Sequence, residues 1–307
     1  MRTESHFYAK HLDVDVEQLN TADLNDEELA TIKYYIKITK HMQEINGLFQ
    51  VFDFNLNSMR HHYAVFNDGT IKRNVEYDFN VSDIVAINAL TINLISSGQT
   101  LIESIEVFLK KNGEELYPAF KANCLSKEYD ECFSYRFLLR LRDYVQHCHL
   151  PVSLNFDNKY CFDLNQILFT PRFSHNSRIK SQMADIANEI FEKYSDYPYL
   201  ALTFSLAEFS VCIIRIYLEF LKKTRDLLHN SVDSIKALIN RRPEIIHKSS
   251  DCFNGLVLYE LDGGTLHLFD PKDNPKKMLS QYKNAVFEIL QEEQSKLSKM
   301  RSGLKII

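Results

Sequence analysis

Arg142, Asp143 and His147 stand in the run Arg-Asp-Tyr-Val-Gln-His, side chains able to cut a phosphodiester without a metal. A guanidinium beside a scissile phosphate stabilises the charge that builds on the phosphoryl oxygens. An imidazole titrates near neutrality, so His147 can take the proton of an RNA 2′-hydroxyl or give one to the departing 5′-oxygen. The need for a 2′-hydroxyl makes RNA the substrate by chemistry alone. Asp143 precedes His147 by four positions, so on a helix the two side chains meet and the carboxylate can hold one ring nitrogen. Pro151 must stop this helix, which puts His147 in the last turn, where carbonyl dipoles favour the protonated ring. Arg136, Arg140 and Tyr144 on the same helix are expected to position the phosphate backbone.

Spacing alone selects weakly. With 11 histidines in the chain, about one or two Arg-x(4–6)-His matches arise by chance. Arg242 and His247 repeat the interval, but Pro243 between them breaks a continuous helix. The competing account makes Arg142 and Asp143 solvated helix charges and His147 a hydrogen-bonded residue of the last turn. Residues five apart on an ideal helix point about 140° away from each other. The pair is therefore expected to flank a cleft that a second subunit completes, while Arg140 and His147, seven apart, share a face better. His147-Cys148-His149 has ligand types, yet adjacent helical residues diverge by about 100°, so no metal site is expected. Arg225, Asp226 and His229 read as the capped C-terminus of a buried helix, and His61-His62 beside Arg60 as a strand edge.

These residues need helices to hold them, and the chain supplies long ones. Leu24 to Phe49 predicts a helix with Asn25 as N-cap and Leu29, Ile32 and Ile36 as its apolar stripe. His62 to Phe66 and Ile71 to Tyr77 around Asn67-Asp68-Gly69-Thr70 predict a hairpin. A long helix is expected from Asp83 to Lys111, ended by Asn112-Gly113, with Thr91 interrupting its stripe. Its Ser96-Ser97-Gly98 notch lets another helix come close; glycine there costs about 1 kcal/mol against alanine, which points to a packing role. Glu128 to His147 is the helix of the motif, with Phe133, Phe137 and Leu141 on one side and Arg136, Arg140 and Asp143 on the other. A hairpin at Val152 to Phe156 and Lys159 to Leu164, helices at Ser177 to Lys193, Leu200 to Leu228 and Val232 to Asn240, a hairpin at Leu256 to Leu261 and Thr265 to Phe269, and a helix from Asn274 to Met300 complete the chain. The fold class expected is mainly α, a bundle of long antiparallel helices with small β-hairpin decorations. Three parts are expected: 1–80, an N-terminal helix and hairpin; 81–230, the helical core; and 231–307, a hairpin and long helix packed on it.

The 307 residues suffice for one large or two modest domains. Only 8 glycines and 7 prolines favour long helices over many turns. A net charge of −5 argues against broad salt-driven coating of nucleic acid and leaves room for a local basic patch. The 6 cysteines show no C-x-x-C pair and read as reduced core residues of a cytoplasmic protein. Met1 to Lys10 is charged, so no signal peptide is expected. The apolar window Tyr199 to Phe220 carries Glu208 and Arg215, so no membrane partner is expected either. Phosphate-loop, dinucleotide, zincin and serine-hydrolase motifs are absent from the sequence, and no cofactor is expected.

Two long antiparallel helices with Arg-Asp-Tyr-Val-Gln-His on the second resemble the HEPN superfamily of all-helical domains. Ribonuclease members of that family carry Arg-(polar)-x(3–5)-His, which maps here onto Arg142, Asp143 and His147; Asp143 stands where asparagine is commonest. The resemblance covers Asp83 to about Leu228. It implies metal-independent RNA cleavage by 2′-hydroxyl attack, two motif copies facing each other across a homodimer, and a setting in anti-phage defence or toxin–antitoxin pairs with a restraining antitoxin protein. Many members of the family are binding modules without catalysis. The alternative function is thus a helical interaction or structural protein that uses the same helices for self-association.

Overall fold

Apolar side chains recur every three and four residues along the first helix, and that spacing decides its length. Tyr35, Ile38, Met42, Ile45, Phe49, Phe52, Leu56 and Met59 are all buried, an alternation of three- and four-residue steps close to the heptad repeat of about 3.5, which keeps one seam buried. The helix α1 (Asp26–Asn67) accordingly runs for 42 residues, past the expected end at Phe49. His62 to Phe66 is therefore helix and not strand. The turn signal that follows, and the expected strand Ile71 to Tyr77, lie outside the described residues. Asn25 does cap the helix. Its Oδ1 accepts the Glu28 N–H at 2.9 Å and its own N–H donates to Glu28 Oε2 at 3.2 Å, a reciprocal capping box. Of the expected stripe only Ile32 is fully buried; Leu29 and Ile36 sit at its edge.

The structure, a computed structural model, describes residues 24–67, 83–113, 115–147, 150–155, 159–168, 199–243, 247–248, 254–259, 266–269 and 275–304, with isolated positions between 181 and 188. After α1 come α2 (Asp83–Asn112), α3 (Leu116–Phe120), one π turn (Lys121–Leu125), α4 (Ser126–Glu131) and α5 (Phe133–His147). Strands β1 (Val152–Leu154) and β2 (Tyr160–Asp163) lead to α6 (Leu164–Leu168), then to β3 (Tyr199–Ala201) and α7 (Leu202–Lys223). The remainder is α8 (Arg225–Arg241), β4 (His247–Lys248), β5 (Asn254–Tyr259), β6 (Leu266–Phe269) and α9 (Pro275–Leu304). The fold is mainly α with small antiparallel sheets. The expected helix Ser177 to Lys193 falls largely outside the described residues.

The chain forms two compact units. One comprises 1–44 and 224–284; the other comprises 45–223 and 285–307. The boundaries fall inside α1 and α9, so sequence order does not mark them. In the first unit α8 packs through Leu228, Val232, Ile235 and Leu238. There the buried Glu28 carboxylate receives Arg242 Nη1 at 2.8 Å and Arg241 Nη2 at 3.5 Å. The sheet β4–β5–β6 belongs to the same unit, with Leu256 opposite Phe269 and Tyr259 opposite Leu266.

The second unit is the helical core. Asn88 on α2 reaches Val152 and Glu103 reaches Arg142, so α2 and α5 run antiparallel. α2 is long and apolar enough by composition to span a bilayer; Ile87, Leu94, Ile95, Leu101, Ile105 and Leu109 on it are buried in this unit. Two breaks shape the core. Cys132, extended at φ −112° and ψ 110°, interrupts the expected helix Glu128 to His147. Thr224 at φ −91° and ψ −3° ends α7, so Leu200 to Leu228 divides, and Arg225 to Arg241 continues as one helix that absorbs Val232 to Asn240. Tyr199 to Ala201, expected at the start of that helix, instead adds a third strand beside β2.

Gly98 on α2 performs the expected packing role: an added Cβ would lie 2.9 Å from Phe209 Cζ on α7. Asn88, fully buried, acts as a surrogate strand for the free edge of β1. Its Nδ2 donates to Val152 O at 2.9 Å and its Oδ1 accepts Val152 N–H at 2.8 Å. That pair of bonds fixes the chain immediately after Pro151, where the motif helix lets go. Gly98→Ala should lower stability by about 1 kcal/mol despite its better helix propensity, because the Phe209 ring has nowhere to move. Asn88→Ala should cost about 2–3 kcal/mol by stranding the Val152 N–H and C=O. Urea unfolding of both variants checks these values.

Candidate functional site

The motif helix α5 sorts its arginines by depth. Phe137, Leu138 and Leu141 are buried and set the inner face. Arg140, one residue before Leu141, is exposed. Arg142, one residue after it, is intermediate, with 27% of its side chain accessible. Arg136 is the exception to the expected polar face: it is 2% exposed. Its guanidinium turns inward and donates Nη1 to the carbonyls of Tyr129 and Asp130, the latter at 2.8 Å, and lies 5.7 Å from the Tyr129 ring centroid. Those carbonyls belong to the last turn of α4. Arg136 is thus held at the C-terminal end of α4. The helix break at Cys132, invisible in the apolar pattern, is what creates the carbonyls that claim it.

Arg142 extends across to α2. Its Nη1 lies 3.4 Å from Glu103 Oε1, a contact at the long limit of a hydrogen bond, and Glu103 is 56% exposed. Gln99 Nε2 also donates to that oxygen, at 2.8 Å. Arg142 Nε and Gln99 Oε1 are both buried and find no partner among the described residues. One edge of the guanidinium is therefore buried, and the other meets a carboxylate that solvent reaches. Such a pair is worth about 0–1 kcal/mol, little enough for a phosphate to replace the carboxylate.

The backbone of Asp143, Tyr144 and His147 continues α5 to its end; their side chains lie outside the described residues, as do Cys148 and His149. The structure therefore places Arg142 and Arg140 on one helix with the backbone of His147. Arg225, Asp226 and His229, expected at a helix C-terminus, open α8 instead. His61 and His62, expected on a strand, lie on α1 with ring centroids 5.9 Å apart. As expected from Pro243, α8 stops at Arg241, and His247 begins a strand. No cluster of three metal-ligating side chains occurs among the described residues.

Sequence reasoning missed the groups that frame the motif. Glu103 was one of several charges on the outer face of α2, with nothing to mark it as the residue facing Arg142. Asn88 was unremarked within an apolar stripe. A buried amide on such a stripe is a signal that could have found it, since a buried polar group requires a partner. Comparison with protein-family models, with curated proteins and with solved structures finds no match.

The two arginines differ in a measurable way. Arg136→Ala should destabilise by about 2–4 kcal/mol, because it uncaps α4 and removes a buried cation already satisfied by carbonyls. Arg140→Ala should stay within about 0.5 kcal/mol of wild type. Thermal melts followed by circular dichroism separate them; equal losses would contradict the inward placement of Arg136.

Proposed function

We propose that the chain is a metal-independent endoribonuclease of HEPN type, acting as a toxin or anti-phage effector. The observation that carries this reading is Arg142: a half-buried guanidinium on the motif helix, whose ionic partner among the described residues is an exposed carboxylate at 3.4 Å. In the reaction an RNA 2′-hydroxyl attacks phosphorus, the bond to the 5′-oxygen breaks, and a 2′,3′-cyclic phosphate remains. Arg142 displaces Glu103 in favour of the phosphoryl oxygens and stabilises their charge. His147 transfers the proton, Asp143 orients the imidazole, and Arg140 and Tyr144 hold the neighbouring backbone. Because residues five apart on one helix diverge by about 140°, two copies of the motif in a homodimer complete one site.

A second reading has its own support. On α1, Val51 is 51% exposed and Phe54, one turn on, is 70% exposed, an apolar pair suited to self-association without catalysis.

Purified protein incubated with total RNA in chelator distinguishes the two. Wild type should produce cyclic-phosphate ends, and His147→Ala and Arg142→Ala should each reduce cleavage by at least about 100-fold with melting temperatures near wild type. Cleavage retained by His147→Ala excludes the assignment, and no cleavage by any form leaves the self-associating scaffold.

A further inference from the structure

Cys132 and Cys212 stand 80 positions apart in the chain, yet folding brings their thiols close enough to interact. Neither is in a disulfide. Two contacts between the same helical layers fix their approach. Ser134 Oγ donates to Glu208 Oε2 at 2.6 Å on one side, and Arg215 Nη1 reaches Glu128 Oε1 at 2.7 Å and Oε2 at 2.9 Å on the other. Cys132 is the single extended residue between α4 and α5. That is the backbone conformation of an N-cap, and its sulfur lies near the backbone N–H of Tyr135, the third residue of α5.

We propose that Cys132 and Cys212 form an oxidation-sensitive dithiol that hydrogen peroxide closes to an intramolecular disulfide, with Cys132 attacking and Cys212 resolving. The Cys132 thiolate attacks one peroxide oxygen and the O–O bond breaks. Hydroxide leaves and takes up a proton to become water, and Cys132 becomes a sulfenic acid. The Cys212 sulfur then attacks the Cys132 sulfur; the S–O bond breaks and the oxygen departs as water with the Cys212 proton. Two thiols are oxidised, one peroxide is reduced to two waters, and no other reactant is needed.

The roles follow from the surroundings. Cys132 is partly exposed, whereas Cys212 is 3% exposed and peroxide meets the former first. The Cys212 thiol, and after it the Tyr135 N–H, hold the Cys132 thiol below its usual range, against burial and the carboxylates of Glu208 and Glu128. Cys212 moves the opposite way, pushed up first by its bond to Cys132 and then by burial, with Glu128 adding to it. The Arg215 guanidinium on α7, bonded to Glu128, lies within electrostatic reach of both sulfurs. Cys124 provides an internal control: burial, with Glu128 next, pushes its thiol up to about 12. A thiolate, not a thiol, is the nucleophile.

Full-length protein titrated with hydrogen peroxide and digested without reductant provides the test. A cross-linked peptide pair containing Cys132 and Cys212, reversed by dithiothreitol, is the expected product. In Cys212→Ser the sulfenic acid on Cys132 should persist and be captured by dimedone, and in Cys132→Ser the cross-link should vanish. At pH 7 iodoacetamide should alkylate Cys132 at least about ten-fold faster than Cys124. The proposal falls if peroxide leaves both thiols of the wild-type protein intact, carries Cys132 directly to the sulfinic acid, or joins either cysteine to a different partner. The wild-type cross-link map decides even if a variant does not fold.

Discussion

The close approach of two helices at Gly98 is the constraint on which the helical core depends. Because no side chain stands there, the Phe209 ring enters between α2 and α7 and becomes a hub. It meets Phe52 of α1 edge-on at 6.5 Å and stacks with Tyr135 of α5 at 6.2 Å. Two turns along α7, Tyr217 stacks on Phe49 at 4.2 Å and neighbours Phe220, which meets Phe108 of α2 edge-on at 5.5 Å. In a chain without tryptophan, these rings supply large contact areas with defined orientation. Their directionality gives four helices a single register, where aliphatic side chains alone would tolerate several.

Charge is distributed around this apolar hub according to depth. The buried cation Arg136 and the buried carboxylates Glu28 and Glu128 each have close partners, as the cost of burying an unpaired charge requires. Glu293, 2% exposed on α9, faces Arg60 and Lys296. Tyr217 donates its hydroxyl to Asn46 at 3.0 Å, so its buried tip is satisfied. The Arg142–Glu103 pair belongs to a different class: long, partly wet and cheap to separate. Interior pairs specify the fold, and a pair of this kind at the rim leaves a guanidinium available for other anions.

Helix identity was legible in the sequence, and helix interruption was not. The bounds of α2 follow from Asp83 and from Asn112-Gly113, and the three residues at the Ser96-Ser97-Gly98 notch declared a close contact. The breaks at Cys132 and Thr224 leave no such mark, since neither glycine nor proline occurs there and the apolar pattern runs on. Both are imposed by packing. The length of α1 was hidden for the opposite reason: a turn-like Asn-Asp-Gly run lay just beyond it and invited a hairpin, although a heptad-like stripe continued to Met59. At the motif, the placing of Arg140 outward was legible from its neighbour Leu141. The inward turn of Arg136 was not, because only the three-dimensional position of two carbonyls decides it. Likewise no spacing rule connects Cys132 to Cys212.

The ion cluster at Glu28 has a consequence for synthesis on the ribosome. Its cationic partners, Arg241 and Arg242, lie 213 and 214 positions downstream. At a translation speed of about 5–20 residues per second, the first helix waits roughly 10 to 40 s for the residues that neutralise its capping carboxylate. During that interval the nascent segment carries an apolar seam without α8, which belongs to the same unit. Nascent-chain chaperones therefore have a long window on this protein, and its amino-terminal unit is among the last parts to acquire native contacts.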